Sequence, residues 1–439
     1  AYLFKREGIG KALASTPEAV QMAARYAYAG GRFEVIKFGH SEDRCYEYDV
    51  NSAYPTALCN VPNLVNGEWR HIVSADADRS YPFALYHIKW RIRRTKRHAN
   101  IPGPLFRRLK TGNVHYPLAG EGWYWTPEYL AAKAYAETVG GTFTISEAWV
   151  FDSATDVKPF GFIPKLYAER RELKKADNGA HVGIKLALNS MYGKLAQQVG
   201  WHVTPRGTLK LPPFHQLEWA GYVTSHCRAA VLTAALQDID SVIAFETDAL
   251  FTSRPLRLDT GEELGQFEVT EFLDLTYMQS GTYYGRAVDK KTGEVKELTA
   301  KTRGIDRGSM SRDDCLALMA EPIAVKRKVS VTNRRFFTLG LALMQSMDKW
   351  TKWLEVTKEV TLEPTGKRFH DPVCGCSGPG ITKGIWHTTI CPTAKLEHSA
   401  EFPVEWVKPS AVADLFRMIR EDDDVLDVDN LASIVLESS

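Results

Sequence analysis

The stretch SVIAFETDALFTS, residues 241–253, decides the reading of this chain. Two apolar runs, SVIAF and ALFTS, flank Glu246, Thr247 and Asp248, the pattern of a β-hairpin whose turn presents carboxylates. Acids gathered at a tight turn invite a hard divalent cation. Upstream, RCYEYDVNSAYP (44–55) is β-like from Cys45 to Val50 and is then punctuated by Asn51, Ser52 and Pro55, so Asp49 falls near a strand end. Between these segments, residues 161–194 read as two helices, LYAERRELKKA and HVGIKLALNSMYG, separated by the breaker Asp177-Asn178-Gly179 and stopped at Gly193. On the second helix Lys185, Asn189 and Tyr192 sit at i, i+4 and i+7 and share one face; on the first, Arg170 and Lys174 are also four apart. Such a helical hairpin can aim cations at a triphosphate. Carboxylates drawn from separate strands can hold two metal ions, the pair that clamps the attacking and leaving oxygens of an in-line phosphoryl displacement.

Composition narrows the classes. The 439 residues suggest about three domains. A content of 44% apolar and 25% charged residues excludes disordered, collagen-like and coiled-coil chains. The net charge of +2 argues against a strongly basic coat protein but averages over local patches. Seven cysteines, an odd number, do not make a secreted disulfide framework. No apolar run approaches the roughly 20 residues of a membrane helix, so the sequence predicts a soluble, cytoplasmic protein with no membrane partner. Residues 15–29 read as a helix ended by Gly30 and Gly31. Basic stretches at 89–97, 107–110 and 326–335, interleaved with Trp90, Phe106, Phe336 and Phe337, suit a nucleic-acid track with stacking platforms, the alternative being solvated surface. His370, Cys374, Cys376, His387 and Cys391 fall within 22 residues and are candidate zinc ligands, with ordinary thiols the competing reading. The acidic residues between Glu421 and Asp429 read as a solvated face or tail.

Taken singly, each piece has a bland reading: a strand-end Asp is usually a cap, a cationic helix face is usually solvated, and Tyr192 alone is packing. Their order is what is familiar. YDVNSAYPTAL (48–58) resembles motif A of the family B DNA polymerases, IKLALNSMYGK (184–194) is similar to motif B, and FETDALF (245–251) to motif C. Tyr28-Ala29-Gly30-Gly31 is similar to the YxGG linker of the protein-primed branch known from small linear-genome phages. The resemblance covers roughly residues 25–310.

The resemblance implies an α/β (α+β) fold, a right-hand polymerase core with an antiparallel-sheet palm, two-helix fingers and a small thumb. Its parts would be an N-terminal helix and linker (1–34), a first palm part (35–160) with an insertion at about 95–150, fingers (161–194), a short insertion (195–218), a second palm part (219–310), and thumb with C-terminal region (311–439). It implies template-directed addition of deoxynucleotides to a primer 3′-hydroxyl, in phage or mobile-element replication. Asp49, Asp248 and Glu246 would be the catalytic acids, and together with the Val50 carbonyl would bind two Mg²⁺ ions, Mn²⁺ being a substitute. Lys185, with Arg170 or Lys174, would contact the triphosphate, Ser52 would support it, and Asn189 and Tyr192 would line the nascent pair. Tyr54 would be the steric gate against a 2′-hydroxyl. Lys301 in AKTRGI, the linker residues Tyr28, Gly30 and Gly31, and Gly193 would serve primer and template. Implied partners are primer-template DNA, deoxynucleoside triphosphates, a terminal protein primer and a separate exonuclease.

Three departures qualify this. Motif C of the family reads Asp-Thr-Asp, whereas here the first acid is Glu246, whose extra methylene leaves direct and water-mediated metal contact both open. Only 48 residues precede Asp49, too short a segment for a proofreading exonuclease domain. Residues 195–218 leave little room for the second insertion, so strand displacement and processivity are not implied. Two alternatives stand beside the DNA polymerase: a primase-like or RNA-synthesising enzyme of the same fold, and a non-catalytic polymerase-like subunit that binds DNA.

Overall fold

The computed structural model describes residues 2–302 apart from 74, 94–100, 109–113, 198–201, 204–208, 211–212, 290–291 and 298–300; beyond them it describes residue 344 and the strands Lys326–Phe336, Thr351–Thr361 and Trp386–Thr388. The candidate zinc ligands His370, Cys374, Cys376 and Cys391 lie outside the described residues, as does most of the expected thumb. His387 falls on the short strand Trp386–Thr388, opposite Phe38.

The main sheet is antiparallel, with strand order Arg32–Val35, Val242–Thr247, Ala249–Thr252, Cys45–Val50, Phe267–Gln279, Thr282–Val288 and Val295–Glu297. The hairpin read from SVIAFETDALFTS is present, with Glu246 opposite Ala249. Val242, Ile243, Ala244 and Phe245 are all buried, as expected for a strand covered on both faces. Helix Leu217–Ala235 covers one face; it presents Val231, Leu232 and Ala235 to the core that contains Phe245 and Leu250. The other face packs Ile243, Ala244 and Phe251 against Phe272, Tyr277 and Tyr283.

A second sheet, ordered Gly67–Ile72, Gly141–Ser153, Ala84–Ile92, Ala119–Trp125, carries helix Thr126–Val139 on one face. It runs from Gly67 to Ser153, with the long strands Gly141–Ser153 and Ala84–Ile92 as its inner members. Strand Ala84–Ile92 corrects the stacking-platform reading. Trp90 is only 2% exposed, with its indole N–H on the Pro117 carbonyl, and Phe106 is equally buried. Period-two alternation turns Trp90 inward while Lys89 and Arg91 face solvent.

Residues 161–194 form helices Ile163–Lys175 and Ala180–Leu195. Pro164 sits in the first turn, where its missing N–H is harmless. Asp177 adopts φ 50° at the break between them. Strands Lys326–Phe336 and Thr351–Thr361 pair with each other along their full length.

Candidate active site

Strand pairing alone brings the two central acids together. Asp49 lies opposite Ala249 on one side and Glu268 on the other. The Val50 N–H donates to the Asp248 carbonyl at 3.0 Å. Asp49 opens to solvent at the edge of the cleft and Asp248 is half-buried beside it. Both carboxyls are held above the usual range. For Asp49 the chief cause is desolvation by the protein around it, followed by the charges of Asp248 and Glu47; for Asp248 it is again desolvation, opposed by its own backbone N–H. Like charges held together without a cation are the electrostatic signature of a metal or acid–base site.

Around this pair stand two glutamates in different roles. Glu246 does not face the pair unattended: its Oε1 accepts from the Tyr277 hydroxyl at 2.5 Å and from the Gly281 N–H at 2.8 Å. Glu47, two residues before Asp49 and on the same side of the strand, accepts from the Tyr283 hydroxyl at 3.2 Å and lies 3.9 Å from the Lys301 ammonium. Tyr277 and Tyr283 stack in parallel with centroids 5.5 Å apart.

Nucleotide-side candidates meet through aromatic contacts. Ser52 has φ 51° ahead of helix Ala53–Leu58, and its carbonyl accepts from the Thr56 N–H and hydroxyl. On that helix Tyr54 stacks on Tyr192 of the second long helix, centroids 4.8 Å apart. The Tyr192 hydroxyl meets the Tyr28 hydroxyl at 2.6 Å, so the linker, the helical hairpin and the Asp49 segment share one contact chain. Lys185 and Asn189 are partly exposed on the same helix, and Gly193 is buried near its end. Among the four basic residues at positions 170, 171, 174 and 175 of the first helix, Arg171 pairs with Glu262 and Glu263, and Lys175 with Glu172. Arg170 has a buried Nε with no hydrogen-bond partner among the described residues, and Lys174 is exposed.

Residues that pattern reading passed over fix the linker. Arg228 makes a bidentate pair with Glu128 and donates to the carbonyls of Ala29 and Gly30, while Arg108 donates to that of Tyr28. Arg32 pairs with Glu34 and reaches the Gly103 carbonyl. Gly31 is a matter of space: a Cβ there would lie 2.5 Å from the Thr247 methyl and 3.0 Å from its Cα. The linker thus abuts the turn that carries Asp248.

Known proteins resemble parts of this chain. Residues 6–201 match the family described as DNA polymerase type B, organellar and viral. A DNA polymerase of Acidianus bottle-shaped virus is 25% identical over 279 residues, 60% of this chain and 39% of the relative. The DNA-directed DNA polymerase of Enterobacteria phage PRD1 is 30% identical over 177 residues, 40% of this chain and 29% of that one. Over residues 6–201 the chain is similar to the type B DNA polymerases. It spans well under half the length of these two viral relatives. Phi29 DNA polymerase complexed with primer-template DNA shares the fold, with a TM-score of 0.54 and 16% identity over 82% of this chain and 65% of that structure.

The likeness to type B DNA polymerases implies a divalent cation, and the residues fit it. The donors at the pair are carboxylate oxygens, the hard ligands such ions prefer. A cation held by these carboxylates would relieve their mutual repulsion. Among the described residues no three acidic, histidine or cysteine side chains form a group that could hold a metal ion. No described helix is long and apolar enough to cross a membrane.

Proposed function

We propose that this chain is the family B polymerase core of a viral or phage-type replication enzyme, adding deoxynucleotides to a primer 3′-hydroxyl on a DNA template. The observation that carries the reading is the juxtaposition of Asp49 and Asp248 at adjacent strand ends, next to the helical hairpin that bears Lys185 and Arg170. Asp49 and Asp248, with the Val50 carbonyl, would hold two Mg²⁺ ions, Mn²⁺ substituting; bound there, the ions stabilise charge on the attacking and leaving oxygens. Glu246 supports the pair from its Tyr277 and Gly281 contacts. Lys185 and Arg170, helped by the exposed Lys174, bind the triphosphate, and the backbone around Ser52 approaches it. Asn189 and Tyr192 line the nascent pair. The Tyr54 ring, held flat against Tyr192, closes the space a 2′-hydroxyl would need. Lys301 meets the primer end, and the pinned linker Tyr28 to Gly31 guides the template. The main sheet is the palm, residues 161–194 the fingers, and the ribbon Lys326–Phe336 with Thr351–Thr361 part of the thumb. The linker likeness extends the reading to a terminal protein as natural primer and to an exonuclease acting from elsewhere, in the cytoplasm of the host.

Purified protein, a primed template and Mg²⁺ test this directly. Extension with deoxynucleotides, little with ribonucleotides and none after chelation is the expected result. Extension with ribonucleotides alone would favour an RNA-synthesising enzyme, and DNA binding without extension a non-catalytic subunit. Initiation on a candidate terminal protein, run in parallel, identifies the primer.

A further inference from the structure

Position 47 is an odd place for a carboxylate. It lies in the middle strand of the main sheet, opposite Phe251 on one side and Thr270 on the other, and its side chain is only 12% exposed. A β-branched or aromatic residue would serve the strand better, and a charge so enclosed requires partners. Its partners are specific. Tyr283, itself 5% exposed, donates its hydroxyl to Glu47 Oε1, and the same oxygen faces the Lys301 ammonium. Tyr283 is also the residue that pairs with Lys301 across the sheet, and the ammonium lies 5.4 Å from the centre of its ring.

The ammonium is therefore bracketed by a carboxylate and an aromatic face, each favourable to a cation. At 3.9 Å the Glu47 contact is an ion pair but too long for a hydrogen bond. It orients the lysine without engaging its N–H donors, and the lysine side chain stays 40% exposed. The strand that carries Lys301 is two residues long, Lys301–Thr302, so its backbone pairing alone constrains the side chain little.

We propose that Glu47 and Tyr283 are positioning residues that hold the Lys301 ammonium on the strand face that carries Asp49, ready for a phosphate at the primer end. The inference rests on the polymerase reading of the site and adds to it two residues that act through Lys301.

The test is a double-mutant cycle on primer extension with the full chain, comparing wild type, Glu47→Gln, Lys301→Met and the double variant. Tyr283→Phe is a second single variant that removes only the hydroxyl. Extension at saturating nucleotide should fall about fivefold in Glu47→Gln, the scale of one partly exposed charge contact, with the nucleotide KM unchanged. In the Lys301→Met background Glu47→Gln should have no further effect, because the group it positions is gone. Tyr283→Phe should show the same pattern more weakly, and thermal unfolding of each variant reports whether it is folded. An undiminished Glu47→Gln effect in the Lys301→Met background, or a wild-type rate in Glu47→Gln, overturns the inference while leaving the polymerase reading intact. A wild-type chain unable to extend any primed template overturns both.

Discussion

Two of the places where ionisable side chains gather are opposites. At Arg228 and Glu128 a cation and an anion, 2% and 4% exposed, meet through two 2.8 Å hydrogen bonds, and the remaining guanidinium donors end on linker carbonyls. At Asp49 and Asp248 two carboxyls are brought together, with Glu47 on the same strand adding a third and Lys301 paired with Glu47 at 3.9 Å. Satisfied buried charge fixes a structure; unsatisfied like charge is a demand for something from outside. Burial of ionisable groups alone does not separate scaffold from site. The sign and completeness of the partners do.

The contrast can be broken at either end. Asp49→Ala or Asp248→Ala should reduce primer extension by at least about a thousandfold, the loss expected when charge stabilisation at the reacting oxygens is removed. DNA binding, measured by fluorescence anisotropy, should change little in either variant. Persistent extension would show that the pair is not the reacting centre. At the other end, Arg228→Ala leaves Glu128 buried without its partner and should destabilise the fold by about 3–5 kcal/mol in denaturant titration; a neutral result would mean that water already serves that carboxylate. Lys185→Ala lies between the two, at the site but outside the acid pair. It should raise the nucleotide KM by about tenfold while the fold holds, and an unchanged nucleotide dependence would remove it from the triphosphate.

The smallest effect concerns pH. Free carboxyls titrate near 3.8, whereas in the folded chain Asp248 is pushed up to about 6 and Asp49 to about 8. The folded state then binds protons that the unfolded chain has already lost, so this contribution to stability is full below the unfolded value and disappears as pH rises through the folded values. Without divalent cation, the Tm difference between wild type and Asp49→Asn should therefore turn against wild type between about pH 5 and about pH 8. Mg²⁺ at the upper pH should restore it. A difference independent of both pH and metal would mean that the two carboxyls do not interact.

What the sequence revealed follows the range of each signal. Local alternation and punctuation located the hairpin at 241–253, the strand before Asn51, and the two helices around Asp177-Asn178-Gly179, because turn residues and periodicity act within a few neighbours. The likeness to type B DNA polymerases and the antiparallel α/β core were legible from three short segments. Charge pairing was not: Arg228 and Glu128 are 100 residues apart, and Glu47 meets Tyr283 only once the sheet has formed. Trp90 and Phe106 were misread for a related reason. Basic neighbours in sequence suggested an exposed track, but on a strand adjacent residues face opposite ways, and the aromatic members turned into the core. Arg108, read as part of that basic track, instead donates to the Tyr28 carbonyl from a buried position.

The close fit of Gly31 against Thr247 has a meaning for anyone who would re-engineer the chain. Thr247 already holds a left-handed backbone, φ 60°, and cannot readily shift to admit a larger neighbour. Even one methyl at residue 31 would act as a wedge under the turn that carries Asp248, giving a compact, folded protein whose aspartates no longer line up.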